Sequence, residues 1–435
     1  MVHIASVRVW WTSHERRVLG GAVIVMAAAS AGWLTYEFFR FFQQPSWIGS
    51  RPIHPGAIDL KIFHSMVNAW FAGAPVYTGE TGWINTHPPA TMALMWPFYG
   101  WHALNAAMIA WTGTAVAALA CLVCLVVHES GAETPHERAF AALLPLAIYP
   151  TGAILGNGQM VLHEVSALLA GLLLLRRRSS GWRMDTLAAL LILLALAKAT
   201  VAAPFFWIVV FAARSYRPAI LVGAGYVALT VFAATFQQAS TFELFHQFLA
   251  RASAMSTTAG ESNVHILLAH LDLKEWIAAA SLTMLCLHGI WVWYHRRVDL
   301  WLLIGVTAIV ARFWSYHRWY DDLLIVLPMA ALFRVTKRSP RSGSMGVVAG
   351  LLLGWTLILM MAPGGLYLLP TPWNNIYQGA QVFTWLSVMT FMVIAARRER
   401  ARAEGMLQRV RLPSSGDFPG ATRGTGNGWL QQFSL

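Results

Sequence analysis

Charged residues are scarce in this chain. Only 11% of its 435 residues are Asp, Glu, Lys or Arg, whereas a soluble domain carries about a quarter. Hydrophobic residues make up 57% of the sequence. This balance excludes an ordinary water-soluble protein and indicates a chain whose surroundings are largely lipid.

Cysteine is also rare, since the chain has three, all inside apolar stretches. Cys121 and Cys124 have C-x-x-C spacing, but no second pair of ligands accompanies them. No set of His, Asp and Glu has metal-binding spacing, and there is no Gly-rich phosphate loop. We therefore predict neither a metal nor a cofactor, and we interpret the cysteines as lipid-facing or packing residues.

Apolar stretches run along most of the chain, and a membrane-spanning helix needs about 20 such residues. The first stretch follows "SHERR" without a small-residue cleavage site, which favours a retained anchor over a signal peptide. We predict an all-α polytopic membrane protein with about twelve spans, several of them short or broken. The spans are near residues 17–42, 104–127, 139–154, 160–175, 185–197, 201–213, 218–236, 275–294, 300–316, 321–334, 345–362 and 378–396.

Basic residues are concentrated in alternate loops. The net charge is +12, and segments such as "HERR", "RRRSSGWR" and "FRVTKRSPR" fall on one predicted side. By the positive-inside rule that side is cytoplasmic and holds both termini, as in a multi-pass protein of the cell membrane. Topology and anionic headgroups therefore explain the charge, and nucleic-acid binding is not expected.

We expect one membrane domain, residues 1–404, without a soluble module. Residues 405–435 include "LPSSGDFPGATRGTGNGW" and are predicted to be a disordered cytoplasmic tail. Two long loops, residues 43–103 and 237–274, lie on the outer side. Apolar residues recur there at helical spacing, which predicts helices lying in the membrane interface. The first loop has Leu60, Phe63, Met66, Val67, Trp70 and Phe71 on one stripe and Lys61, His64, Ser65 and Asn68 on the other, while the second has Phe242, Phe245, Phe248 and Leu249.

A lone carboxylate, Asp59, begins the first of these amphipathic stretches, in "HPGAIDLKIF". Aspartate directly before a helical stripe is a favoured N-cap. A catalytic base is the functional interpretation. The two are compatible, because a cap fixes the carboxylate and leaves one oxygen free.

Two more polar features interrupt apolar sequence. Lys198, in "LALAKATVAAPFF", is a functional candidate because ionisable groups are costly in membranes, although a lysine can also reach out to the surface. The turn "GNGQ" offers the amides of Asn157 and Gln159 to a sugar or phosphate, or it is only a loop. His163 and Glu164 follow it and are interpreted as a satisfied polar pair between helices.

The densest polar cluster is "ARFWSYHRWYDD", at the outer end of a predicted span. Cations at a membrane boundary make a good pocket for a lipid phosphate. The structural alternative is an aromatic belt with charges that reach the surface. The candidate residues in this cluster are Arg312, His317, Arg318, Tyr320 and Asp321, and a weaker candidate, Asn263, lies in "GESNVH".

These residues, taken in order, resemble glycosyltransferase family 87, the polyprenyl-phosphate-dependent mannosyltransferases of GT-C fold. The matching elements are "IDLKIF", "GAPVYTGETGWINTHPPATMALMWPF", "ILGNGQMVLHEVSALLAGLLLLRRR", "LALAKATVAAPFFW" and "SYHRWYDDLLIVLP". The similarity spans most of residues 55–335. The histidine and tyrosine motif is looser here than in the family's usual wording.

The resemblance implies a polyprenyl-phosphate-hexose donor lipid, a lipid-linked glycan acceptor, and inverting transfer, usually of mannose, at the outer face. The family's early aspartate corresponds to Asp59, as the general base. Donor phosphate or sugar binding would then fall to Lys198, Arg312, His317, Arg318, Tyr320, Gln159 and Asn157, with His64, His87, Asn263 and Asp321 in acceptor or secondary roles.

The chemistry independently fits a single carboxylate. A phosphate is a good leaving group, so only the acceptor hydroxyl needs a base, in contrast to the paired carboxylates of most glycosidases. An aspartate with its usual pKa of about 3.9 would be ionised. The main competing hypothesis is a lipid-glycan transporter or flippase, since short, broken helices are also typical of transporters.

Overall fold

The computed structural model describes residues 2–43, 46–48, 51–53, 56–78, 85–176, 181–256, 263–339 and 344–411. Most of this backbone is helical. The α-helices of these residues, numbered in chain order, are α1 (Val2–Phe42), α2 (Ile58–Phe71), α3 (Pro89–Tyr99), α4 (Leu104–Glu129), α5 (Pro135–Leu143), α6 (Tyr149–Asn157), α7 (Val161–Arg176), α8 (Trp182–Ala195), α9 (Ala199–Ala202), α10 (Phe206–Phe211), α11 (Arg217–Ala234), α12 (Thr241–Ser256), α13 (Val264–His270), α14 (Ile277–His295), α15 (Leu300–Phe313), α16 (Val326–Arg338), α17 (Ser344–Met360), α18 (Gly365–Leu368) and α19 (Trp373–Arg411).

Shorter elements complete the description. The 3-10 helices are Leu196–Lys198, Ala203–Phe205, Lys274–Trp276 and Trp319–Ile325. Strands β1 (Ser46–Ile48) and β2 (Arg51–Ile53) pair antiparallel in one small hairpin, and the rest of the described secondary structure is helical, as the all-α prediction has it.

Several helices are long and apolar enough to cross a membrane. Within the described ranges there are six, at Arg17–Phe42, Leu104–Glu129, Trp182–Phe211, Arg217–Ala234, Lys274–His295 and Trp373–Glu404. Their outer surfaces carry large apolar side chains, such as Ile24, Ile109 and Phe383, each more than 70% exposed. Such exposure is costly in water and natural in lipid. The chain is a polytopic membrane protein, and the predicted total of about twelve spans stays a prediction.

The stretch Trp182–Phe211 doubles back on itself. A straight helix of that length would separate its ends by about 45 Å. Instead, the Ser215 hydroxyl donates to the Asp185 carboxylate across 3.3 Å. The chain reverses through the 3-10 turns at Leu196–Lys198 and Ala203–Phe205. This reversal agrees with the predicted division into spans 185–197 and 201–213, and it places Lys198 at the apex.

The two ends of the helical bundle differ in chemistry. Helix α15 separates Asp299 from Arg312 by about 20 Å. At the Asp299 end, Arg334 and Arg338 both pair with that carboxylate, and Lys337 Nζ lies 2.8 Å from Glu137 Oε1. This end carries the basic loops that the sequence predicts to be cytoplasmic.

The sequence also predicts interfacial helices in the outer loops and a disordered C-terminal tail. Helix α12 exposes Phe242, Phe245 and Leu249, as a helix lying against lipid would. Helix α19 continues to Arg411, past the predicted start of the disordered tail. The rest of that predicted tail, residues 412–435, lies outside the described residues.

Candidate active site

Asp59 lies in the first turn of α2, not at its N-cap. The N-cap position is Ala57, which adopts a left-handed conformation and makes no side-chain cap. The N-cap alternative is therefore wrong, and the carboxylate is not held by its own helix. The predicted apolar stripe of α2 is buried at Leu60, Phe63, Met66, Val67 and Trp70.

The "GNGQ" turn positions the start of α2. The Ala57 amide donates to the Gly156 carbonyl at 2.8 Å, and the Tyr99 hydroxyl donates to the Gly158 carbonyl at 3.0 Å. Gly158 has φ +76°, and a Cβ there would lie 2.5 Å from Leu60 Cβ. Only glycine therefore permits both the turn and the close approach of α2. Gln159 follows directly, beside Asp59.

Two cations and an amide surround the Asp59 carboxylate. The Gln159 side chain hydrogen-bonds to it, and the positive charges of Lys198 and Arg318 act on it. Burial outweighs these effects and raises the pKa of Asp59 above its ordinary value. The expectation of an unshifted pKa is therefore wrong, and Asp59 is a stronger base than a solvent-exposed aspartate.

Asp321 joins the two cations. One of its oxygens lies 2.5 Å from Lys198 Nζ, and the other accepts the Arg318 backbone N–H at 2.9 Å. The Lys198 ammonium also lies 4.8 Å from the centre of the Tyr320 ring. Both members of the ion pair are buried, so the pair is shielded from water. Asp321 thus fixes the position of the Lys198 ammonium and of the backbone at Arg318.

Arg318 is the cation with free donors. Its Nε donates to the Tyr316 hydroxyl at 2.6 Å. Elsewhere in the described chain, no hydrogen bond or ion pair occupies its terminal nitrogens. Burial disfavours its charge, but Tyr316 and the Asp59 carboxylate raise the pKa of Arg318 above its ordinary value. The residue is partly exposed, so its guanidinium can meet an anionic ligand.

Arg312 belongs to a second, separate ion pair. Its Nε donates to Asp322, which also accepts from the Tyr149 hydroxyl, and the Gln381 amide lies 3.2 Å from that hydroxyl. Successive residues of a 3-10 helix point about 120° apart, so Asp321 and Asp322 face different partners. The structure does not bring Arg312 to the Asp59 group, and its predicted phosphate role lacks a free guanidinium.

His317 and His87 are neutral near pH 7. Burial lowers the pKa of each imidazole to about 3. The Nδ1 of His317 donates to the Ser315 carbonyl at 3.0 Å, and its buried Nε2 has no partner within the described residues. The charges of Lys198 and Asp321 act on both rings. His317 is therefore not the cation that the sequence suggested.

Three predicted residues lie apart from this group. Asn157 accepts from Arg40 at 2.8 Å and so fastens α1 to α6. His64 is on the polar side of α2, where its Nε2 lies 2.6 Å from the Trp101 carbonyl. Asn263 caps α13 by accepting the Ile266 amide.

Glu164 is a polar residue whose environment the sequence did not reveal. It is fully buried, and neither carboxyl oxygen has a hydrogen-bond partner in the described part of the chain. His163 instead lies 3.0 Å from the Thr114 hydroxyl, so the expected His163–Glu164 pair is wrong. The charges of Lys198 and Asp321 act on Glu164. The sequence feature that could have indicated this environment is a glutamate about one turn after "GNGQ", within an apolar helix.

An apolar groove of about 740 Å³ is connected to the site through two hydrogen bonds. It runs between α14, α15 and α19, past Trp276, Met284 and Trp291. Ser281, next to this groove, donates to the Trp314 carbonyl at 2.8 Å, and the Trp314 indole donates to the Thr200 carbonyl at 2.7 Å. The groove wall is thus tied to the loop that carries His317 and to the apex near Lys198.

Among the described residues, no group of three or more His, Cys, Asp or Glu side chains is placed to hold a metal ion.

The charged centre of the site is the group Asp59, Gln159, Lys198, Arg318 and Asp321. It combines the Asp59 carboxylate, which has no salt bridge among the described residues, with one amide, two cations and the Asp321 carboxylate that pairs with Lys198.

Comparison with protein-family models matches residues 85–320 to glycosyltransferase family 87. The match covers more than half of the chain, so the protein belongs to glycosyltransferase family 87. It is a membrane glycosyltransferase. Gln159, Lys198 and Arg318 lie within the matched residues, whereas Asp59 precedes them. No curated protein and no solved structure matches the chain.

Proposed function

We propose that this glycosyltransferase moves a hexose, mannose, from a polyprenyl-phosphate-sugar to a hydroxyl of a lipid-linked glycan, with inversion. The observation that carries the proposal is the meeting of Asp59, Gln159, Lys198 and Arg318 at one end of the bundle. That end is opposite the basic, predicted cytoplasmic loops. The reaction would therefore take place at the outer face of the cell membrane, with both termini in the cytoplasm.

Asp59 acts as the general base in this proposal. It removes the proton from the acceptor hydroxyl as that oxygen attacks the anomeric carbon and the bond to phosphate breaks. A correctly placed base contributes roughly 10²–10⁴-fold to the rate. Burial raises the pKa of Asp59, which increases its affinity for that proton. Attack from the face opposite the phosphate gives inversion, and no covalent sugar–enzyme intermediate is needed.

The departing phosphate is stabilised by cations. Arg318 offers a guanidinium with unoccupied terminal nitrogens, which suits a phosphate geometrically. Lys198 adds positive charge in a buried setting, where electrostatic stabilisation is stronger than in water. The donor carries its own leaving group, so the proposed transfer requires no cofactor. His317, neutral and with a buried unpartnered nitrogen, can hydrogen-bond to donor or acceptor without adding charge.

The lipid part of the donor requires an apolar surface near the charged residues. The groove of about 740 Å³ is lined almost entirely by apolar side chains, which would suit a polyprenyl chain. Ser281, beside the groove, donates to the carbonyl of Trp314, which lies three residues before His317. We place the polyprenyl chain in this groove, with its phosphate directed toward Arg318.

The test is sugar transfer by purified full-length protein from polyprenyl-phosphate-mannose to a lipid-linked glycan acceptor. We expect acceptor-dependent release of polyprenyl phosphate. Asp59→Asn should lower the rate at least 100-fold while donor binding persists. Asp272→Asn is the matched control, because Asp272 is exposed and its φ of +58° is tolerated by asparagine. Equal rates in the two variants would overturn the assignment of the base.

Lipid-glycan transport remains the second candidate. The doubled-back pair α8 and α10 is the observation that favours it, because broken helices build many transporter sites. Transporter sites lie near the bilayer midplane, whereas this charged group lies at the end of the bundle. Translocation of a labelled lipid-glycan in sealed vesicles, unaffected by Asp59→Asn and without sugar transfer, would favour the transporter.

A further inference from the structure

A small basic pocket lies at the end of the bundle opposite the active site. It occupies about 200 Å³ between the end of α7, the end of α10 and the connection from α14 to α15. Arg176, Arg296 and Arg297 line it, together with apolar side chains that include Leu172 and Leu303. No acidic side chain is among the residues that line it.

The pairing of these arginines differs from that of their neighbours. At the same end of the bundle, Arg334 and Lys337 are paired with carboxylates. Arg176 and Arg297, in contrast, are exposed and have no hydrogen bond or ion pair among the described residues. Positive charge is thus left uncompensated at this pocket, although it is neutralised elsewhere on the same surface.

A neighbouring acid, Glu399, does not cancel this charge. Glu399 lines an adjoining pocket of about 300 Å³, which shares Arg296 and Arg297. Its Oε1 accepts the Asp299 amide at 2.9 Å, so the carboxylate is already engaged. The Arg176 charge acts on it from a distance.

The third arginine is fixed at the rim. Arg296 donates to the Trp293 carbonyl at 2.9 Å, and its guanidinium lies 5.2 Å from the Trp293 ring centre. Trp293 is exposed, as is typical of a tryptophan at the boundary of a membrane. The arginines are therefore at headgroup level, and the partly exposed Leu175 and Ala212 form the accessible apolar wall of the pocket.

We propose that this pocket binds the phosphodiester of an anionic phospholipid from the cytoplasmic leaflet. Arg176 and Arg297 would hold the phosphate by charge-assisted hydrogen bonds, and one acyl chain would follow the partly exposed Leu175 and Ala212. Basic pockets between membrane helices on the cytoplasmic side bind anionic headgroups in this way. A free phosphate ion shares the headgroup chemistry but would not use the apolar wall.

Native mass spectrometry of the full-length protein in detergent tests this proposal, with phosphatidylglycerol, phosphatidylcholine and inorganic phosphate as separate probes. We expect phosphatidylglycerol to be retained at least tenfold more than phosphatidylcholine. The double variant Arg176→Gln/Arg297→Gln should lower its retention roughly thirtyfold, since each basic side chain contributes about fivefold near an anionic surface.

The control is Arg138→Gln/Arg183→Gln, which removes two exposed arginines from the same end but outside the pocket. Its retention of phosphatidylglycerol should change less than threefold. Equal losses of phosphatidylglycerol retention in the two variants would show that general surface charge causes the effect, and would overturn the proposed binding site. Inorganic phosphate that competes as well as the lipid would likewise overturn a lipid site. If the first variant fails to fold, phosphatidylglycerol co-purified with each single variant gives the same comparison.

Discussion

The buried pair Lys198–Asp321 gives the sharpest test of how the site is built. Both side chains are buried, at 8% and 0% exposure, and their charged atoms are 2.5 Å apart. Lys198→Met leaves the Asp321 carboxylate buried with one backbone donor, and Asp321→Asn leaves the ammonium buried without a counter-charge. Removing one member of a buried pair costs roughly 3–5 kcal/mol. Each single variant should therefore unfold at a much lower denaturant concentration than the unmodified protein.

The double variant Lys198→Met/Asp321→Asn should recover most of this loss. No uncompensated charge remains in it, and replacing a buried pair by neutral groups is often close to neutral for stability. The free energies of unfolding come from denaturant titration in a fixed detergent, and the double-mutant cycle should give a coupling above about 2 kcal/mol. Losses that simply add would show that the two charges do not stabilise each other. The double variant should remain inactive, because the lysine charge is absent.

Three other results are expected. Transfer should decline as the pH falls through the raised pKa of Asp59, at a higher pH than an ordinary aspartate near 3.9, because the base must be deprotonated; a kcat/KM profile that is flat down to pH 4 would contradict this. Glu164→Gln should leave the free energy of unfolding at pH 7 unchanged or raise it by up to about 3 kcal/mol, because the carboxyl has no hydrogen-bond partner among the residues that the structure describes. A loss above about 1 kcal/mol in denaturant titration would reveal such a partner. Arg318→Lys should raise the KM for donor roughly tenfold with a smaller effect on kcat, because lysine keeps the charge but loses the bidentate contact of the guanidinium with phosphate. An unchanged KM would show that Arg318 does not bind the donor phosphate.

The sequence predicted the features that depend on the scarcity of charged residues and on the helical spacing of apolar ones. Acids are rare in an apolar chain, so Asp59 stood out, and the helical stripe beside it is buried as expected. Lys198 was prominent for the same reason, because a cation in an apolar stretch must have a partner or reach water. The reversal of the chain near Lys198 was also indicated, since each arm is too short for a full span.

The sequence could not predict which charged groups pair. Lys198 and Asp321 are 123 residues apart, and adjacent Asp321 and Asp322 look equivalent until the 3-10 geometry separates them. The charge state of His317 depends on burial, which no local pattern reveals. Asn157 was assigned to the site because it adjoins Gln159 in the turn, yet it serves Arg40 of α1.

The break near Lys198 explains how a charge can be placed at the candidate site, at the end of a membrane bundle. A continuous helix would carry the lysine into the hydrocarbon, where a charge is costly. The reversal instead puts it at the apex of two short arms, level with the "GNGQ" turn and the Trp319–Ile325 helix. These three irregular segments supply Lys198, Gln159 and Asp321 from the ends of buried helices, and irregular backbone at membrane depth is tolerated where protein covers it. Because the supporting helices are buried, the charges hold their positions before substrate arrives, which is the condition for electrostatic stabilisation of a departing phosphate.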